Sequence, residues 1–288
     1  MSTQGLLARA PSGGLVLGAI ASVQFGSSLA ATLFARLGPG GTVLLRLASA
    51  AVVLMALGRP RLRGRTRAEL GLACSFGLVL AGMNLSFYEA LDRIPLGIAV
   101  AIELVGPLAV AIGGSRRRRD LLWAALAVLG ILALTRGGVH GLDGAGVALA
   151  LLAGVLWGSY ILLNARLGRR FEGSTGLSLA MCVAALAALP SGIAAGGSAL
   201  LDPGSLALGC AVGLLSSAIP YTFEVEALRR IAPPTFGVLM SLEPALAALA
   251  GFLVLGQGLD LRALLGIALV IAASLGAARS ASEAPIAV

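Results

Sequence analysis

The chain is poor in charge. Only 12% of its 288 residues are Asp, Glu, Lys or Arg, about half of the roughly 25% carried by a soluble domain. So few charges could not cover a globule of this size. Lysine is absent, so all 21 basic residues are Arg. There is one histidine, His140, and there are three cysteines, Cys74, Cys182 and Cys210. No CxxC pair or Cys/His metal spacing occurs, so no metal site is expected. The cysteines lie in apolar segments and are expected to be buried small hydrophobes. A hydrolase-like site would need a nucleophile with its base, and the lone His lies in a Gly-rich loop, GGVHGLDGAG (137–146). That loop lacks the GK[ST] ending of a phosphate loop, which argues against direct drive by ATP. The net charge of +8 does not indicate nucleic acid, because the Arg sit in short loops that cannot shape a groove.

What the chain has in abundance is apolar sequence. Residues AVILMFWYC make up 58%, and the mean hydropathy is +0.97. The apolar residues come in blocks of about 20, the length that crosses a bilayer. They do not alternate with period two, so a β-barrel is excluded. Ten spans are expected, at about 13–34, 40–57, 69–89, 96–113, 121–135, 143–163, 174–195, 205–225, 235–254 and 261–278. The expected fold is an all-α polytopic membrane protein. With the N-terminus inside, 16 Arg fall in cytoplasmic segments and 4 outside, with Arg46 inside a span. The positive-inside rule then places both termini in the cytoplasm. The Arg-rich loops are read as topology determinants facing anionic lipid. No cleavable signal peptide is expected.

Span four, PLGIAVAIELVGPLAVAIG (95–113), holds Glu103 near its middle and Pro107 four residues on. A carboxylate at that depth costs about 2.5–3.5 kcal/mol on insertion scales. Pro107 has no N–H, so the Glu103 carbonyl loses its usual helical donor. Charge and backbone defect therefore meet at one point, as they do where transporters bind their cargo. Glu103 is read as a proton carrier or a ligand for a substrate ammonium group; the alternative is a carboxyl held for helix packing.

The motif Glu89-Ala-Leu-Asp-Arg-Ile94 returns as Glu226-Ala-Leu-Arg-Arg-Ile231. The offset of 137 residues also places Pro107 on Pro244 and span four on span nine. Two five-span halves result, 1–139 and 140–288. Five is odd, so the second half is inverted relative to the first, an architecture with its site near the midplane. Glu243 precedes Pro244 in span nine, whereas the offset itself carries Glu103 onto Met240. Pro107 and Pro244 are expected helix kinks. The space between Glu103 and Glu243 is the expected substrate and proton pathway.

Other polar residues in spans have two readings each. Arg46 could meet a carboxylate through its planar fork, snorkel, or pair for folding. Asn84 and Tyr88 share a face of span three, and Gln24 and Ser28 share one of span one; either pair suits a polar cavity or interhelical hydrogen bonds. Trp157 and Tyr160 suit pathway or packing, and Tyr221 an interfacial belt. Glu224 is placed near the cytoplasmic end of span eight, where solvation is cheap. Ala268, Ala272 and Gly276 follow small-xxx-small spacing, which suits close packing or a homodimer contact. His140 is given no role, and no metal ligands, cofactor or catalytic residues are assigned.

IPLGIAVAIELVGPLAVA (94–111) and APPTFGVLMSLEPALAALAGFLVLG (232–256) resemble the drug/metabolite transporter superfamily, EamA type. SVQFGSSLAATLF (22–34) and LLRLASAAVVLMAL (44–57) fit the same group. An Arg early in span two and a Glu-Pro in span nine are common to the family. The PLGIAVAIE–GPLAVA stretch looks most like the bacterial threonine/homoserine exporters. The resemblance implies ten helices in two inverted halves and efflux of amino acids or related metabolites across the bacterial inner membrane. The partners expected are a small-molecule substrate, protons and the lipid bilayer. The rival readings are an exporter of another metabolite or drug-like compound, an intramembrane enzyme and a channel-like protein.

Overall fold

The computed structural model describes residues 11–58, 65–113, 120–135, 142–171, 175–228 and 239–282. His140, the Arg runs at 59–63 and 116–119 and the APPTF stretch at 232–236 lie outside the described residues. The described chain is helical: α1 Ser12–Ala31, α2 Phe34–Gly58, α3 Arg67–Leu91, α4 Leu96–Glu103, α5 Val105–Gly113, α6 Asp120–Thr135, α7 Gly144–Arg170, α8 Thr175–Gly196, α9 Pro203–Gly213, α10 Ile219–Leu228, α11 Glu243–Leu255 and α12 Leu261–Ser282. Six stretches are long and apolar enough to cross a membrane: Ser12–Ala31, Phe34–Ala56, Arg67–Leu91, Gly144–Arg170, Thr175–Leu201 and Pro203–Glu224. Leu96–Val110, Leu122–Ala133, Glu243–Leu255 and Leu261–Gly276 are apolar but shorter.

The helix ends follow local chemistry. Thr66 and Glu69 form a reciprocal capping box at the start of α3. The Asp143 carboxylate accepts from the backbone N–H of Ala145 and Gly146 and so caps α7. Gly38 has φ 64 and ψ 168, a conformation open to glycine and strained for other residues. It kinks the chain immediately before Pro39, so Phe34–Leu37 form a short turn ahead of the kink and the long helical run begins at Pro39, one residue ahead of the expected span.

Two expected spans are not single helices. Span four is α4 and α5, separated at Leu104. Span eight is α9 and α10 joined by one wide π-helical turn, Leu214–Ala218. In each case proline explains the interruption. Pro107 removes the donor to the Glu103 carbonyl, and Pro220 removes the donor to the Ser216 carbonyl. Pro107 and Pro244 themselves sit in the first turns of α5 and α11, positions that tolerate proline. The breaks precede them.

The two halves of the chain interdigitate. The most extensive packing pairs α2 with α8, α3 with α7 and α6 with α12. The central core contains Phe76, Leu80, Tyr88, Ile102 and Met181. Many large apolar side chains point outward, among them Leu122, Leu129, Leu186, Phe252 and Leu265. So broad an apolar exterior suits lipid contact. Cys74 and Cys210 are exposed on it and only Cys182 is partly covered, which corrects the expectation that all three are buried. An apolar helix facing lipid has the composition of one facing a core, so hydropathy could not separate the two.

Candidate functional site

One group of buried polar side chains gathers around the π-helical turn. The first is Arg46, on α2, which is buried. Its Nε donates to Ser217 Oγ at 3.0 Å, one terminal nitrogen to the Tyr88 hydroxyl at 2.9 Å, and the other to the Ser216 carbonyl at 2.7 Å. The Ser216 carbonyl is the one that Pro220 deprives of its α-helical donor. A backbone defect on span eight thus becomes an acceptor for a buried guanidinium 170 residues away. The guanidinium carbon also lies 5.2 Å from the centre of the Tyr88 ring, within cation–π range. Tyr88 is held in turn by Phe34 and Phe87, at ring-centre distances of 5.6 and 6.0 Å.

Glu103 ends α4 and is buried. Among the described residues no hydrogen bond ties down its carboxyl, and the charge acting on it is that of Arg46. Its carbonyl, freed by Pro107, faces α7: a Cβ placed on Gly154 would lie 2.6 Å from that oxygen. Only hydrogen fits there, so the broken helix and α7 touch backbone to backbone.

Glu243 begins α11 and is buried too. Its Oε1 accepts from the Gln24 side-chain amide on α1 at 3.0 Å. Glu103 and Glu224 both lie within electrostatic reach of it. The structure thus brings Gln24 to Glu243 and Tyr88 to Arg46, and sets Glu103 beside the Arg46 charge. Asn84 does not join them: its amide donates to the Leu80 carbonyl of its own helix at 2.8 Å. Ser28 likewise donates to the Gln24 carbonyl.

Two functional candidates, Ser216 and Ser217, escaped the sequence reading. They had a legible signal, two adjacent serines three and four residues ahead of Pro220 inside an apolar span. Glu224 was placed in a solvated end, yet it is mostly buried and acts on Tyr160, Tyr221 and Glu243. Tyr221 is buried and stacks on Tyr160 at 6.3 Å, which corrects its assignment to an interfacial belt; Tyr160 stacks on Phe76 at 5.0 Å. Among the described residues no three His, Cys, Asp or Glu side chains come together as metal ligands.

Outside the spans, Asp202 caps α9 by accepting from the Ser205 backbone N–H at 2.9 Å and pairs with Arg36 at 2.9 Å. The capping bond, helped by Arg36, holds its carboxyl below the usual aspartate range. A depressed folded-state value stabilises the fold above the unfolded value, about 3.9, and that stabilisation fades as pH falls through the folded value. Asp202→Asn is therefore expected to flatten the loss of thermal stability below about pH 4. An unchanged acid limb in detergent melting curves would rule this out.

Residues 144–279 match the EamA-like transporter family. The threonine/homoserine exporter RhtA of Escherichia coli K12 is 44% identical over 265 residues, covering 91% of this chain and 89% of that protein. RhtA of Salmonella typhimurium LT2 is 43% identical over 274 residues, covering 94% and 92%. An uncharacterized Pseudomonas aeruginosa protein is 33% identical over 246 residues, covering 81% and 84%. A solved crystal structure superposes with a TM-score of 0.60 at 18% identity, over 92% of this chain and 96% of that one, a likeness of fold alone. With that identity over most of both lengths, and with its set of membrane-length apolar helices, the chain belongs to the EamA-like transporter family, among the relatives of RhtA.

Proposed function

We propose that the chain is a secondary transporter that exports small amphoteric amino acids of the threonine/homoserine kind across the bacterial inner membrane, by alternating access and in exchange for protons. It performs no catalysis. The identity with the exporters, whose cargo their name gives, is the observation that carries this reading. Six long and four shorter apolar helices support ten spans, with both termini cytoplasmic by the arginine bias. The halves 1–139 and 140–288 are inverted repeats. Their helix breaks support this: the 137-residue offset carries the break at Leu104 onto Ser241, in the turn ahead of α11.

Glu103 is the proton carrier in this mechanism. It is buried and free of hydrogen bonds among the described residues, and the Arg46 guanidinium offsets its charge when the proton leaves. Arg46, Tyr88, Gln24 and Glu243 complete the pathway. Rocking of the halves would alternately expose this group to the two sides.

Glu103→Gln keeps the shape of the side chain and removes its titration. It is expected to abolish uptake of labelled threonine driven by a proton gradient in inverted vesicles, while threonine counterflow in proteoliposomes persists. Wild-type uptake by the variant at every pH would reject proton coupling through this residue. Absence of threonine counterflow in the wild type would reject the exporter reading.

A further inference from the structure

Gln24 donates its side-chain amide to one carboxylate oxygen of Glu243, and among the described residues the Gln24 amide oxygen and the other Glu243 oxygen each lack a donor. Among the described residues, Gln24 Oε1 and Glu243 Oε2 are buried without a hydrogen-bond partner, on side chains only 2% and 7% exposed. Buried acceptors are normally satisfied, and an orphan calls for an explanation. Here there are two, on side chains already joined at 3.0 Å, so one ligand can reach both. It must bring donors.

The surrounding charge specifies its sign. Glu243 feels Glu103 and Glu224, so three carboxyl groups share this region. The cation that acts on Glu103 is Arg46, and its three nitrogens are already committed to Tyr88, Ser216 and Ser217. The group therefore favours an incoming cation, and Arg46 is occupied as a brace. A primary ammonium is compact, positive and carries three N–H donors with no acceptor.

We infer that Gln24 Oε1 and Glu243 Oε2 form the seat of the substrate's primary ammonium group. This deepens the exporter reading and rests on it for the identity of the cargo. The bound ammonium donates to the Gln24 carbonyl oxygen and to the free Glu243 oxygen, and it bridges α1 to α11. Substrate recognition then depends on the amino group more than on the carboxylate.

The test separates the two ends of the cargo, using the full-length protein purified in detergent. Threoninol keeps the ammonium and lacks the carboxylate; 2,3-dihydroxybutyrate keeps the carboxylate and lacks the ammonium. Ligand-induced rises in melting temperature, which follow affinity, and competition with labelled threonine are read for both. Threoninol is expected to bind within about tenfold of threonine, and dihydroxybutyrate about 100-fold or more weaker, as when a site built for hydrogen bonds meets an analogue lacking them. Glu243→Gln, which retains the contact to Gln24, is expected to weaken threoninol about tenfold or more. Equal competition by the two analogues, or a Glu243→Gln protein that still binds threoninol as the wild type does, would overturn the seat. So would stabilisation of the wild type by sodium over choline that Glu243→Gln loses, with no response to threoninol; that is a metal-ion site. Threonine counterflow with no threoninol binding rejects the seat alone. Threoninol binding without threonine counterflow rejects the exporter reading and leaves the seat standing.

Discussion

Alanine at Gly106 is expected to disrupt the bundle more than alanine at any other described glycine. A Cβ at that position would lie 1.7 Å from the Gly154 carbonyl oxygen and 2.5 Å from its carbon. These are backbone atoms, which cannot rotate aside as a side-chain end does. α7 is also close to the preceding turn, since a Cβ on Gly154 would meet the Glu103 carbonyl oxygen at 2.6 Å. α5 and α7 would have to separate, and close-packed interiors resist such a shift. The loss of stability is expected to be on the order of 4 kcal/mol, at the exceptional end for one substitution. Gly113 is the control: it is exposed, and a Cβ there meets nothing within 4 Å. Unfolding by denaturant in micelles should leave Gly113→Ala close to wild type and bring Gly106→Ala down sharply. Equal stabilities would show that the backbone contact at Gly154 is not tight. The position also bears on function, because the same contact fixes the point where the broken helix presents Glu103.

Removal of the Arg46 side chain is the second large effect. Arg46→Ala leaves the Tyr88 hydroxyl, the Ser217 hydroxyl and the Ser216 carbonyl without their buried donor. A hydrogen bond to a charged group is worth about 1.5–3 kcal/mol, and interhelical bonds within a membrane average only about 0.6 kcal/mol. Three of them, together with the uncompensated Glu103 charge, give an expected loss of about 2–4 kcal/mol. Arg46→Lys is the informative variant. It keeps the charge, but one ammonium cannot replace three nitrogens fanned toward Tyr88, Ser217 and Ser216. Lysine is therefore expected to recover only part of the loss in the same unfolding experiment. A lysine variant as stable as the wild type would mean that charge alone matters here and that the π-helical turn is not braced by the fork.

The acids and prolines of the centre were legible because their signal is local. Glu103 stands out against the apolar residues on either side of it, and Pro107 acts on a carbonyl four residues away. The motif repeated at Glu89 and Glu226 could be found by comparing the chain with itself. Pro220 carried the same kind of signal and would have located the Ser216 carbonyl. Other features were illegible for a stated reason. Lipid and protein interior are equally apolar, so hydropathy placed Cys74 and Cys210 inside when they face out. Depth along a helix does not report what packs beside it, so Glu224 and Tyr221 were set too near the surface.

Composition and pattern alone determined the membrane class, the apolar helices, and the acids and prolines that interrupt them. Hydrophobic length and missing backbone donors are properties of neighbouring residues. The stretch around Glu103 and Pro107 needed nothing more to be recognised as a defect in a helix. Only the tertiary structure decided which partners those defects take. Arg46 closes on the carbonyl that Pro220 frees, Gly154 backs the carbonyl that Pro107 frees, and Gln24 meets Glu243 across 219 residues. Those pairings depend on how the two halves interdigitate. Asn84 and Tyr88 share a face of one helix, yet one turns back to its own backbone and the other holds Arg46. A shared face sets direction, and the neighbouring helix sets the partner.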